Sequence, residues 1–230
     1  MARRWLLRTA LLALAALFAY ESWIFAHVVW WVKHNPPTTA FIQEYLDDSS
    51  AMPRHPPPLQ QHWITYGRIS PELKRAVIAS EDARFVEHHG FDWEGIRVAM
   101  RKNLRRGRTV AGGSTITQQL AKNLFLSPER SYVRKAQEAF ITVMLEATMS
   151  KRRILDLYLN VVEWGEGIYG AQAAARHYFG IDAAALNAWQ SALLASMLPN
   201  PRYFGRHLDS EYLQAQARDT LDDMEHVRVP

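Results

Sequence analysis

The hydrophobic positions of this chain fall into three regimes. Residues 9–32 are apolar almost without interruption, His34 to about Gln61 is polar and proline-rich, and from Trp63 onward apolar residues recur at helical spacing. The first regime comes after Arg3, Arg4 and Arg8 and is interrupted only by Glu21 and His27. About 23 residues at ~1.5 Å each give about 35 Å, enough for a hydrocarbon core of about 30 Å, so residues 9–32 are expected to form a membrane-crossing anchor helix. The arginines keep residues 1–8 cytoplasmic and leave the rest of the chain outside. A cleaved signal peptide would use Ala10 to Ala19 as its apolar stretch. Against it, the apolar run continues through Trp23 to Val32, and Leu17 is a poor residue three before a cut after Ala19. Trp30 and Trp31 suit an interfacial belt, while Glu21 is costly in a span and is either tolerated or faced by a partner helix.

The second regime carries Pro36, Pro37, Pro53, Pro56, Pro57 and Pro58. Consecutive prolines favour extended polyproline II and stop helices, so residues 33–62 are expected to be a semi-rigid linker. The third regime, 63–230, reads as one domain, mainly α with little β (an α+β arrangement). Ser70-Pro71-Glu72 is a helix start, with an N-cap, a proline at the first helical position and an acid near the positive dipole end. Leu73, Ala76, Val77, Ser80, Glu81 and Arg84 then share one face. A second helix is expected over Tyr132 to Met149, apolar all round at Ala139 to Leu145 and therefore central and buried. Others are expected at Ile154 to Val162, Gly170 to Tyr178, Asp182 to Leu198 and Glu211 to Val227, with strands at Trp63 to Gly67 and Thr115 to Thr117. Gly165-Glu-Gly167-Ile-Tyr-Gly170 satisfies the G-x-G-x-x-G pattern, but it comes after a helix and no acid lies about twenty residues on, so it reads as a glycine-rich loop.

Composition narrows the classes. A chain with 48% hydrophobic and 22% charged residues is neither disordered nor collagen-like nor polytopic. The absence of cysteine removes disulfides, thiolate metal sites and cysteine nucleophiles. A net charge of +4 favours an anionic partner, whether phosphate, membrane or nucleic acid, and the exported topology argues against nucleic acid.

Candidate chemistry rests on acids in apolar positions. Glu81 lies in line with Leu73 and Val77, where it is either turned back to water, salt-bridged, or desolvated into a base active near neutrality. Glu138 shares a stripe with Ile141, Leu145 and Met149, with Arg134 and Lys135 near enough to neutralise it; a purely structural ion pair would look the same. Paired acids of this kind occur in enzymes that act on sugars. Between them lies a basic run, Arg101-Lys102-Asn-Leu-Arg105-Arg106-Gly107-Arg108, and then Gly112-Gly113-Ser114-Thr115-Ile-Thr117-Gln118-Gln119-Leu-Ala-Lys122-Asn123. Paired glycines, hydroxyls, amides and a lysine fit a phosphate-binding loop leading into a helix, although the Walker order is absent.

These stretches together resemble the family 51 peptidoglycan glycosyltransferases, and the short layout is similar to that family's monofunctional biosynthetic members. Glu81-Asp82-Ala-Arg84-Phe85-Val-Glu-His88-His-Gly90 matches E-D-x-x-F-x-x-H-x-G, and residues 112–119 match G-x-S-T-I-T-Q-Q. Arg134-Lys135-Ala-Gln-Glu138 fits R-K-x-x-E, and Lys151 to Asn160 fits K-x-x-I-L-x-x-Y-L-N.

The resemblance implies a lysozyme-like helical domain in the bacterial inner membrane, facing the periplasm, that polymerises lipid II. It implies Glu81 as general base and Glu138 as the second catalytic carboxylate, organising Lys122, Arg134 and Lys135 or a divalent cation such as Mg or Mn. It further implies Asp82, Ser114, Thr115, Gln119 and Asn123 as substrate-shaping groups, Arg84 as substrate-binding, and Phe85 and His88 at the substrate site as structural supports or, for His88 equally, as a direct contact. Expected partners are lipid II, nascent glycan, membrane lipids and other proteins of wall synthesis or division. Because a lipid pyrophosphate is a good leaving group, it needs cations more than an acid of raised pKa. Two rivals stand beside this reading: a lysozyme-like hydrolase, which would shorten glycan, and a non-catalytic scaffold, which would not need Glu81.

Overall fold

The computed structural model describes residues 2–51, 56–107, 112–129 and 131–230; Pro53 of the linker and Arg108 of the basic run lie outside them. The structure is mainly helical. Helix α1 (Ala2–Trp31) is long and apolar enough to cross a membrane. Its last third is not free: Ile24, Val28 and Trp31 are buried in the main core, and the Trp31 ring stacks on Phe125 with centroids 5.0 Å apart.

The proline pattern predicts extended backbone from 33 to 62, but helix α2 (Ala40–Ala51) occupies the centre of that segment. The prolines flank this stretch, and Ile42 and Tyr45, three apart, supply an apolar face that packs on Tyr169. The Tyr45 hydroxyl donates to the Pro57 carbonyl, so the later prolines are tied to α2 as well. The segment is folded onto the domain, with Thr39 Oγ1 accepting from the Ile42 N–H at its start (3.2 Å).

Helix α3 (Pro71–Glu81) begins as the residues dictate: Ser70 Oγ accepts from Glu72 N–H at 3.2 Å and donates to the Leu186 carbonyl at 2.8 Å. Helix α4 (Trp93–Arg106) carries the basic run, is capped by Asp92, and ends at Gly107 in the left-handed region. Helix α5 (Ile116–Phe125) starts with a reciprocal capping box between Thr115 and Gln118. That box explains why Thr115 to Thr117 is a helix start and not the expected strand. Trp63 to Gly67 is not a strand either, because both backbone groups of Ile64 are taken by the Asn160 side chain, at 3.0 and 3.1 Å.

Helices α6 (Tyr132–Thr148) and α7 (Lys151–Val161) come next, capped by Ser131 and Ser150. Helix α6 is not buried all round: Phe140 and Val143 are half exposed on the side where α6 runs beside α1. The most enclosed helix is instead α9 (Ala188–Met197), capped by Asn187 and buried from Ser191 to Met197, while Trp189 in its first turn stays exposed. A single helix over Asp182 to Leu198 is excluded because the Asp182 carboxylate is occupied by Gln172 and Arg176, leaving Asn187 to cap. Helix α8 (Ala171–Phe179), the short α10 (Pro201–Phe204) and α11 (Glu211–Asp223) complete the set.

The glycine pattern at 165–170 lies in a small sheet. Strands β1 (Gln60–Gln61), β2 (Glu163–Gly165) and β3 (Ile168–Tyr169) pair in the order β1-β3-β2, β1 parallel and β2 antiparallel to β3. Gly170, at φ +83, must be glycine, since a Cβ there would meet the Asn160 carbonyl oxygen at 2.6 Å.

Two packed groups result. Helix α9 packs on α3 and α11, while α5 packs on α6 and α7, and α1 docks on α6. The C-terminal end of α3 thus faces the first turns of α5 across a cleft.

Arg153, near the start of α7, holds α1 in place. Its guanidinium donates to the carbonyls of Trp31 (3.0 Å) and His34 (2.7 Å) and to Asn35 Oδ1 (3.0 Å), and pairs with Asp156 (2.7 Å). It therefore satisfies carbonyls that the end of α1 leaves without helical partners. Replacing Arg153 with Ala should speed amide exchange at residues 32–34 by about tenfold or more, with α9 and α11 unchanged. Unchanged exchange at 32–34 would mean that the guanidinium does not secure the anchor.

Candidate functional site

The site is assembled by one carboxylate that is not itself at its centre. Asp82 is the C-cap residue of α3 and is buried. Its Oδ2 accepts from the Ile116 N–H at 3.0 Å, at the first turn of α5, and its Oδ1 accepts from His88 Nε2 at 2.8 Å. The negative charge thus sits at the positive end of the α5 dipole. Thr115 continues the joint by donating to the Gly90 carbonyl at 2.7 Å. Gly90, at φ +88, leaves no room for a Cβ against Thr142 of α6.

This joint brings Glu81, the last residue of α3, against α5. Gln119 Nε2 donates to Glu81 Oε2 at 2.6 Å, and Gln119 Oε1 accepts from the Tyr158 hydroxyl at 2.9 Å, which fixes the orientation of the amide. Burial pushes the Glu81 carboxyl above the ordinary range, and neighbouring Asp82 adds to this; the Gln119 hydrogen bond and the Lys122 charge pull it back. Burial also raises Tyr158 well above its usual value, reinforced by Glu81 and Asp82, so the tyrosine stays a neutral donor. Glu81 opens onto a cleft of about 150 Å³ walled by Ser80, Asp92, Gly112, Gly113 and Ser114.

One turn of α5 beyond Gln119 lies Lys122. Burial pushes its ammonium below the ordinary lysine value; Glu138 and Glu81 act to raise it, while Arg134 and Lys135 act to lower it. Lys122 is thus coupled to both acids. Glu138 is buried on α6, with one carboxylate oxygen held by Arg134 at 3.0 Å and the other by Lys135. Lys135 also donates to Ser114 Oγ at 3.3 Å, bridging α6 to the glycine-containing segment before α5. Three cations consequently surround one buried carboxylate, and Lys135 is half exposed toward the cleft.

The remaining candidates are distributed around this centre. Phe85 is fully buried, with the Lys151 ammonium 4.5 Å from its ring centroid, and His88 is committed to Asp82. Asn123 is buried in α5, and Thr115 acts as a cap. Arg84 stands apart, its guanidinium engaged by Glu87, Asp92 and Glu94. Sequence patterns do not mark Glu146, Lys151 and Thr117 as a group, yet Glu146 Oε1 accepts from both Thr117 (2.5 Å) and Lys151 (2.7 Å) beneath Gly90. The available signal for Glu146 is an isolated acid in an apolar run, just over two turns past Glu138. Glu163 and Arg202, paired at 2.6 Å, carry no such signal because they meet only through the sheet and α10.

Among the described residues, no three His, Asp or Glu side chains gather as metal ligands, and both oxygens of Glu138 are already taken by cations. The donor set does not fit a divalent ion held by side chains.

The transglycosylase family profile matches residues 50–225. Three relatives bear the name biosynthetic peptidoglycan transglycosylase. The one from Azoarcus sp. (strain BH72) is 57% identical over 228 residues, covering 99% of this chain and 97% of its own. That from Thiobacillus denitrificans is 54% identical over 227 residues, with 99% and 97% covered, and that from Laribacter hongkongensis is 52% identical over 230 residues, with 99% of each covered. With the family profile spanning residues 50–225 and relatives above 50% identical over nearly the whole chain, the chain belongs to the transglycosylase family.

Proposed function

We propose that this chain, a peptidoglycan glycosyltransferase, polymerises lipid II into β-1,4 glycan with Glu81 as base and the Lys122, Arg134 and Lys135 cluster as the electrophilic end of the site. The observation that carries the reading is the division of labour between two carboxylates. Glu81 has a raised affinity for a proton and, among the described residues, only an amide as hydrogen-bond partner, whereas both oxygens of Glu138 are held by cations.

The growing strand is the donor and lipid II the acceptor. The 4-hydroxyl oxygen of the acceptor N-acetylglucosamine attacks the anomeric carbon of the donor N-acetylmuramic acid. The hydroxyl proton passes to Glu81, the anomeric C–O bond breaks with its electron pair leaving on the pyrophosphate, and configuration inverts. The leaving oxygen carries charge that needs no proton, so fixed cations suffice. Glu138 keeps Arg134 and Lys135 converged despite their mutual repulsion.

The substrate's lipid tail ties this chemistry to a bilayer. Helix α1 serves as a single inner-membrane anchor with the domain on the periplasmic side. Exposed Trp93, Val98, Met100 and Leu104 on α4 alternate with Arg97, Arg101 and Arg105, while Tyr132 and Val133 are exposed on α6. Apolar side chains interleaved with arginines suit an anionic lipid surface. This surface keeps the domain down on the bilayer, within reach of lipid II.

The central test is incubation of purified protein with labelled lipid II and separation of products by size. Wild type should yield lysozyme-sensitive polymer, whereas shortening of added glycan would support a hydrolase instead. Glu81→Gln should lower turnover by roughly 10²–10⁴-fold with an unchanged thermal transition, because charge is lost with little change of shape. Full activity in that variant would remove the proposed base. Lys135→Ala should cost about 10–100-fold in kcat/KM and Lys135→Arg much less; equal rates would refute an electrostatic role.

The pH profile is set by the direction of the Glu81 shift. The ionised form is the base, so kcat/KM should rise with pH along an acid limb lying above the ordinary glutamate value. Gln119 stabilises that ionised form, so Gln119→Ala should move the limb to higher pH. A limb that stays in place or moves down would contradict the assignment.

A further inference from the structure

A second cavity, of about 490 Å³, lies where the end of α1 meets the start of α2 and the end of α5. Neither the proton transfer at Glu81 nor the cationic cluster uses it. Its walls are largely apolar: Trp30 and Trp31 from α1, Thr39 and Ala40 at the start of α2, and Leu124 and Phe125 from α5. Gln43 sits exposed at its rim.

The cavity lies next to the cationic cluster along α5, since its wall residues Leu124 and Phe125 follow Lys122 on that helix. Lys122 and Phe125 are three apart on α5 and so are neighbours on one helix face. The Lys122 ammonium also lies 5.1 Å from the ring centroid of Phe41, the residue next to Ala40 of the cavity wall. A group held by Lys122 therefore meets the Phe41 ring first, with the cavity wall at Ala40 and Phe125 adjoining it in sequence and on the helix.

Resting on the polymerase reading, we propose that this cavity receives the first isoprenoid units of the polyprenyl chain attached to the pyrophosphate at Lys122. A pyrophosphate lifted into the cleft draws the adjoining isoprenoid units out of the hydrocarbon layer. Those units would then meet water or polar headgroups, and an apolar wall beside the cation removes that cost. The deeper tail gains nothing from protein contact, because lipid is as apolar as the cavity. A transmembrane helix about 10 Å across does not suit a recess beside a buried lysine. A free acyl chain matches the walls, but only the substrate's own chain is tethered at Lys122.

The test compares lipid II carrying a full polyprenyl tail with lipid II carrying a single dimethylallyl unit, in one detergent. Gln43→Trp, which closes the rim, and Trp30→Ala, which removes a wall, both alter exposed positions and should leave thermal unfolding unchanged. With the long tail, each variant should raise KM by about fivefold or more with kcat within about twofold. With the short tail, wild type should already have the raised KM and the variants should add little. Equal effects on both substrates, or none on either, would overturn the assignment. So would variants that lose co-purifying phospholipid without any dependence on tail length, which would make the cavity a bilayer-lipid site. Wild type that makes no polymer from either substrate would defeat the polymerase reading itself, whereas polymer formation with tail-independent effects would defeat the cavity alone.

Discussion

Much of the site hangs on the Asp82 carboxylate. It has two oxygens and two buried donors, the Ile116 amide from α5 and the His88 ring from the loop after α3. The first bond joins α3 to α5 across 34 residues and the second ties down the loop six residues on, and hydrogen bonds to a buried carboxylate contribute roughly 1.5–3 kcal/mol each. Losing the carboxylate would leave a helix N-terminus and an imidazole unsatisfied together. Because Asp82 is the next residue after Glu81, the bond that fixes one residue also fixes its neighbour. Glu81 is aimed by this buried polar joint, and among the described residues its carboxylate accepts from Gln119 alone, which suits the proposed role as base.

The two acids differ through their environments, not through their chemical type. Glu81 is partly buried against an amide and a neutral tyrosine held through it, so it holds a proton more readily than an ordinary glutamate. Glu138 is buried against Arg134 and Lys135, so its charge is matched on both oxygens. Lys122 lies in the field of both and is disfavoured as a cation by its own burial. An anion arriving near Lys122 would reverse that penalty, since it supplies the partner that burial withholds. The same argument explains why three like charges remain together in the absence of substrate: Glu138 neutralises part of their repulsion, and a pyrophosphate would neutralise the remainder.

Local rules make a large part of this structure legible in the chain. Ser70-Pro71-Glu72 marks the start of α3, Tyr132 and the residues after it mark α6, and Glu81 and Glu138 stand out as acids on apolar stripes. The hidden part is set by side-chain partners that no local pattern announces, some nearby and some far along the chain. Nothing near Ile64 announces that the side chain of Asn160 will occupy its backbone, and nothing near Asp182 announces that Arg176 and Gln172 will claim it. Helix α2 is obscured by flanking prolines, although Ile42 and Tyr45 carry the spacing. Helix α4 is legible only as charge, because its apolar residues point outward to a surface that no soluble-protein rule anticipates. Phe140 and Val143 mislead for the same reason, since an apolar helix face beside an anchor has no need of a protein core.

The relation of anchor to domain obeys the same accounting of backbone groups. A helix that ends in water can leave its last carbonyls to solvent, and a flexible linker would then let the domain drift above the membrane. Here Arg153 takes the carbonyls of Trp31 and His34, Trp31 stacks on Phe125, and α2 folds the linker back onto the sheet. Residues that begin in the span therefore end in the wall of the domain, against Phe125, three positions from Lys122 on α5. On the proposed anchoring by α1, the height of the cationic cluster above the hydrocarbon layer is consequently a property of the fold. For a reaction whose leaving group stays attached to lipid, that height decides whether the pyrophosphate meets the cations without dragging its chain into water. A docked anchor sets it once for every turn of the polymerisation.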